Sequence, residues 1–278
     1  MLIRVGFEMV FDVPTPAPML LMLAIRPELE ASVRRAGGLT VDPPVSIEWF
    51  TDGFGNRAAR IVAPPGKLRL RDDLVVEDDG RPDIVPFSAR QHPVQDLPAD
   101  VLIYLLASRY CEVDRLNDIA WSLFGQTPEG WGRVQAICGW VHEHVTFGYQ
   151  FARPTKTAHD VYEERTGVCR DFTHLALTFC RCMNIPARYV TGYLGDFGVP
   201  LSDTPMDFSG WFEVYLGGRW QTCDARHNVP RIGRILMAHG RDAVDVALTT
   251  SFGTTNLQLF TVWTDDVTNE QPAIATHN

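Results

Sequence analysis

The stretch from Thr166 to Cys223 constrains the fold more than any other part of the chain. Val168, Phe172, Leu175, Ala176, Phe179 and Met183 recur at helical spacing, which predicts a helix from about Cys169 to Met183 closed by Asn184-Ile185-Pro186. Beyond this helix the chain reads as extended over Ala187 to Tyr193, Gly210 to Leu216 and Arg219 to Cys223. Gly217-Gly218 reads as a two-residue hairpin turn, which puts Tyr215 opposite Trp220 and Trp211 opposite Asp224. Nearer the N-terminus, Pro98-Ala99-Asp100 starts a helical stretch, and Val134, Ile137, Cys138, Val141 and Val145 form a core stripe within Gly130 to Val145. Helices that lead into consecutive antiparallel strands indicate an α+β domain.

Residues 1–80 carry a different pattern. Val5, Phe7, Met9 and Phe11 alternate, Ser46 to Phe50 is extended, and Thr51 to Asn56 supplies turn residues before Arg60-Ile61-Val62, so this region reads as a small antiparallel β domain. Acids and prolines without periodicity mark a linker at 81–99, and residues 100–278, including a strand from Leu257 to Trp263, form the second domain. A net charge of −9 opposes binding to a phosphate backbone, which excludes nucleic acid as an expected partner. The longest greasy run, Pro18 to Ile25, is too short for a bilayer, and the first residues show no basic, apolar and small succession. A cytoplasmic protein without a membrane partner is expected.

The cysteines at 111, 138, 169, 180, 182 and 223 read as reduced thiols in a chain of this size. Cys180-Arg181-Cys182 lacks the spacing of a zinc site, and no stretch has the EF-hand pattern, so neither a metal nor an organic cofactor is expected. Cys169 stands apart because it falls in the first turn of its helix. Unpaired N–H groups and the helix dipole favour a thiolate there, and the same groups suit a developing oxyanion. Gly167 lets the chain turn sharply into the helix. The plainer reading of Cys169 is a small core residue.

Thr166-Gly167-Val168-Cys169-Arg170-Asp171-Phe172, continued by Asn184-Ile185-Pro186-Ala187-Arg188-Tyr189, resembles the core of the transglutaminase-like superfamily. The resemblance covers roughly residues 100 to 255. It implies a papain-like core of helices packed on an antiparallel sheet, with Cys169 as nucleophile and Asp224 as orienting acid. It also implies acyl transfer or amide and peptide hydrolysis through a thioester, with a peptide or protein amide as substrate. The N-terminal β domain and the Gly240-Arg241-Asp242-Ala243-Val244-Asp245-Val246 segment are similar to features of the same family.

One element departs from the family pattern. Its His-Ala-Trp aligns with Ser209-Gly210-Trp211, so a serine occupies the position of the general base. A hydroxyl does not accept a proton usefully near neutral pH, whereas imidazole titrates there. His227 is the nearest substitute in sequence, provided that the strand ends near Asp224 and the next loop turns it back toward Cys169. His174 is more simply a partner for Asp171, and His142 and His144 flank a core stripe as surface residues. Arg226 reads either as a salt-bridge partner of Asp224 opposite Ser209 or as a group that recognises a substrate anion. Trp211 reads as core or as a substrate platform, and Glu213, on the Trp211 face, as an acid for a basic residue of the site. These residues are compatible with two functions. One is cysteine-dependent acyl chemistry with a relocated base; the other is a catalytically impaired relative that binds a peptide or protein.

Overall fold

The computed structural model describes residues 1–201 and 205–269. Strand β1 (Leu2–Val13) alternates as a half-buried strand should, with Ile3, Val5, Phe7, Met9, Phe11 and Val13 buried. It lies between β7 (Gly66–Glu77) and β15 (Asn256–Asp266), both antiparallel to it, while β3 (Val33–Arg35) and β4 (Thr40–Asp42) pair with β7. A second sheet runs β14 (Thr249–Ser251), β2 (Ala17–Leu21), β6 (Arg57–Ala63), β5 (Glu48–Thr51). The two sheets share one apolar core.

This arrangement departs from the boundary expected at residue 100. The Leu257–Trp263 strand forms as expected, but it joins the N-terminal sheet, and β14 joins its companion. A strand needs only a partner edge with matching alternation, so distance along the chain does not decide where it pairs.

The second core forms around a four-stranded antiparallel sheet in the order β12 (Arg219–Cys223), β11 (Ser209–Leu216), β10 (Ala187–Leu194), β13 (Arg234–Gly240). The Gly217-Gly218 turn gives the expected Tyr215↔Trp220 register, and the ladder stops at Phe212↔Cys223. Helices α1 (Val113–Phe124), α2 (Trp131–His144) and α3 (Ala158–Glu164) surround α4 (Cys169–Cys182), which packs on β10 and β11. Two short strands, β8 (Thr146–Phe147) and β9 (Thr166–Gly167), pair in parallel just before α4. The stretch that begins at Pro98 is a 3₁₀ turn over Ala99–Leu105.

Helix α4 was expected to bury one side; it is buried all round from Asp171 to Cys182. Its polar members have partners within the fold. Arg181 donates to the carbonyls of Ala187 and Leu106, and His174 Nε2 accepts from the Ala243 N–H at 3.1 Å. The two cores are continuous: Tyr193, Ile235 and Met237 of the second sheet extend into the N-terminal core. At this junction His239 is pinned between Arg26 (2.9 Å) and Arg188 (3.3 Å), and burial with these two cations pushes its pKa down to about 3. Among the described residues no helix is long and apolar enough to cross a membrane.

Candidate active site

Three local devices fix the start of α4. The Asp171 carboxylate folds back to accept the Val168 N–H at 3.0 Å, satisfying one of the helix's orphan donors. Gly167 makes room for it, because a Cβ there would meet Asp171 Cβ at 2.6 Å and Oδ2 at 2.9 Å. The glycine therefore serves close packing rather than a sharp turn. Thr173 Oγ1 lies 2.9 Å from the Cys169 carbonyl and 3.0 Å from that of Gly210, tying the first turn of the helix to the start of β11. Asp171 is thus occupied with the cap, and His174, stacked on Tyr110, is not its partner.

Cys169 is half-buried and opens into a cleft of about 480 Å³ bordered by Arg170, Tyr189, Asp207, Ser209 and Gly210. Its address at the helix start predicts a lowered thiol pKa. Instead burial pushes the Cys169 thiol up, with Asp207 adding to the rise, while Arg226 and the N–H groups of Gly210 and Arg170 pull the other way. The first turn of the helix does favour the anion here, but desolvation outweighs it. The thiol rests protonated at neutral pH.

Asp224 sits just beyond β12, buried and fully engaged. Its Oδ1 accepts from the N–H groups of Arg226 (3.1 Å) and His227 (3.0 Å), and its Oδ2 from Arg234 (3.0 Å) and His227 Nδ1 (2.9 Å). Burial alone would raise this carboxyl; the His227 hydrogen bond and the Arg234 charge overrule it and hold the pKa well below the usual carboxylate range. The strand does end near Asp224, and the loop turns at Asn228, whose N–H bonds the Asp224 carbonyl at 2.9 Å. The turn brings His227 onto Asp224 and into a smaller cavity of about 50 Å³, which adjoins the Cys169 cleft across Asp207, Phe208 and Ser209. Among the described residues no hydrogen bond joins His227 to Cys169.

Ser209 is buried and lines both cavities, at the position the alignment gives it. Trp211 is fully buried beneath Arg234, whose guanidinium carbon lies 4.9 Å from the ring centre; it is core, which corrects its assignment to substrate binding. Arg226 does not face Ser209 across a ladder, because the ladder ends before it. Arg234 takes the ion pair with Asp224 that Arg226 was expected to make. The Arg226 guanidinium instead stacks on Phe147 at 3.8 Å and acts on the Cys169 thiol. Exposed His142 holds the Arg226 carbonyl at 2.8 Å. Glu213 pairs with Arg188 at 2.6 Å, outside the cleft.

Two features escaped the sequence reading. Strand β13, which supplies Arg234, comes after a loop that masks its apolar run, although Ile235 and Met237 alternate. The other is Asp207, two residues before Ser209 and therefore on the same side of an extended chain, a spacing that could have flagged it. The family's alanine position is altered as well: a Cβ on Gly210 would lie 2.3 Å from the Tyr189 hydroxyl, so Tyr189 fills the space an alanine would need.

An α+β fold with a cysteine at the start of a buried helix, facing an antiparallel sheet with a buried carboxylate just beyond one of its strands, defines a class that includes the papain-like enzymes. A family model, the transglutaminase-like superfamily, matches residues 119–225. A Cytophaga hutchinsonii protein provisionally assigned as a cysteine protease is 30% identical, with a TM-score of 0.83 covering 95% of this chain and 90% of that one. The protein ML0607 of Mycobacterium leprae is 36% identical over 95 residues, 32% of this chain and 32% of its own length. The chain belongs to the transglutaminase-like superfamily.

Proposed function

We propose that this protein is a cysteine-dependent acyl transferase or amide hydrolase that forms a thioester on Cys169. The observation that carries the proposal is the setting of the sulfur: it lies at the first residue of α4, open to a cleft, with the N–H groups of Gly210 and Arg170 directed at it. Those donors stabilise negative charge as it forms during attack on a carbonyl. The resemblance to the Cytophaga protein supports the same chemistry. A peptide or protein amide is the proposed substrate, its carbonyl beside the sulfur and its polar groups within reach of Arg226. Because burial disfavours the thiolate, the nucleophile forms during attack rather than waiting as an anion.

A second reading, binding of a peptide without turnover, is favoured by one observation: Ser209 stands where an imidazole would take the thiol proton. Intact mass spectrometry after incubation with an activated acyl ester separates the two. Acylation confined to Cys169, and lost in Cys169→Ala, is the result expected for an enzyme. A protein that binds peptide equally well as Cys169→Ser, with no adduct at any concentration of ester, would establish the binding role instead.

A further inference from the structure

Asp207 is a charged group that the fold does not use. It lines the cleft of Cys169 and the cavity of His227, half-buried. Among the described residues its carboxylate makes no ion pair and no hydrogen bond to another side chain; its contact is the Phe208 N–H. Cys169, Tyr149, Tyr189 and Arg226 face it, and Asp196, His227 and Arg231 share the smaller cavity with it. A partly buried carboxylate without a bound cation costs stability, so such a group in a cleft points to a functional use. Burial raises its pKa, bringing it nearer to the range in which a carboxyl exchanges protons with a substrate. The neighbouring polar residues are less well placed: Ser209 has no basic atom, and His227, held on Asp224 through Nδ1, lines the smaller cavity and not the Cys169 cleft.

We propose that Asp207 carries out the proton transfers at Cys169 that the family's imidazole would perform. The inference rests on the acyl-transfer reading above. The Asp207 carboxylate takes the proton from Cys169 Sγ as sulfur bonds to the amide carbonyl carbon. The carboxylic acid so formed gives that proton to the amine nitrogen as the C–N bond breaks, leaving a thioester and a neutral amine. Water then gives a proton to Asp207 as its oxygen attacks the thioester carbon, and the departing sulfur recovers the proton from Asp207. The acid product leaves, and both groups return to their starting states.

The test compares the p-nitrophenyl ester and the p-nitroanilide of N-acetylglycine, which deliver the same acyl group. The phenolate leaves unassisted, whereas the anilide needs a proton. Positioned acid–base groups contribute about 10²–10⁴-fold, so Asp207→Asn is expected to slow acylation of Cys169 by the anilide at least about 100-fold. The same variant should slow acylation from the ester by a smaller factor, since the ester needs the base step but no proton for its leaving group, and should alkylate faster with iodoacetamide in alkali, where the thiol ionises unaided, because the charge that raises the thiol pKa is gone. A purely structural role cannot move these readouts in opposite directions. Asp207→Glu, checked with Asp207→Asn by circular dichroism for an intact fold, should keep part of the anilide rate. Ester acylation combined with an anilide rate indifferent to Asp207→Asn, or with no anilide reaction in the wild type, overturns the role of Asp207 and leaves the acyl chemistry standing. Acylation of Cys169 by neither probe overturns both.

Discussion

Gly210→Ala restores the family's alanine and should be resisted by this particular cleft. The new Cβ would lie 2.3 Å from Tyr189 Oη and 3.1 Å from Cζ, so the hydroxyl must move by roughly an ångström within a buried ring environment shared with His174. Overpacking of this kind costs about 1–3 kcal/mol. Alanine recovers about 0.5–1 kcal/mol over glycine in a strand by restricting the unfolded chain. The net expectation is a loss of about 0.5–2 kcal/mol, or several degrees of Tm at about 2–4 °C per kcal/mol. With Tyr189→Phe the hydroxyl is gone and the nearest ring carbon, at 3.1 Å, needs to yield only a few tenths of an ångström. In that background Gly210→Ala should be neutral or mildly stabilising. Urea denaturation of the wild type, both single variants and the double variant closes a cycle with an expected coupling of about 1–2 kcal/mol. Equal effects of Gly210→Ala in the tyrosine and phenylalanine backgrounds would refute the argument that the Tyr189 hydroxyl is what excludes a side chain at position 210.

Asp224→Asn removes a carboxylate that receives four hydrogen bonds and should destabilise the fold by about 2–3 kcal/mol at pH 7. Because the folded pKa is depressed, that stabilisation is complete above the unfolded value of about 3.9 and fades as pH falls toward the folded one. The gap between variant and wild type in urea should therefore shrink at pH 2.5; a gap independent of pH counts against the ion pair. Cys169 should alkylate slowly at pH 7, its rate rising beyond the free-thiol value of about 8.5, and Arg226→Gln should move the midpoint further into alkali by removing a charge that favours the thiolate. A midpoint below that of a free thiol would sink this account of the site. Ser209→His combined with Asp207→Asn should regain at least about tenfold in anilide acylation over Asp207→Asn alone, since imidazole is a competent base. No gain would mean that position 209 does not reach the reacting atoms.

Much of the fold was legible because it rests on local pattern. The helix from Cys169, the three strands from Ala187 to Cys223 and the Gly217-Gly218 turn arise from spacing and turn chemistry, and the structure repeats them with the expected Tyr215↔Trp220 register. The site was legible only in part. Position 209 could be recognised as altered because Trp211 and the hairpin that follows keep the family pattern. Spacing could put Asp207 on the side of Ser209, but that Asp207 and Arg226 both act on Cys169 follows from folds of the chain that no spacing rule encodes. The ion pair given to Arg226 belongs to Arg234 because the ladder ends one residue short of Asp224, where β12 stops while its partner β11 runs on to Ser209.

By itself, the sequence determined which segments between Cys169 and Cys223 become helix or strand, where the reactive cysteine falls on its helix, and that a serine stands at the base position. These depend on interactions within a few residues, or on motifs carried intact along the chain. The tertiary structure decided that residues 249–266 complete the N-terminal sheets, that Trp211 is core, that His227 serves Asp224, and that burial raises the Cys169 thiol against the pull of its helix. Pairing, desolvation and Coulomb terms depend on distance through space, and the chain sets those distances only once it has folded.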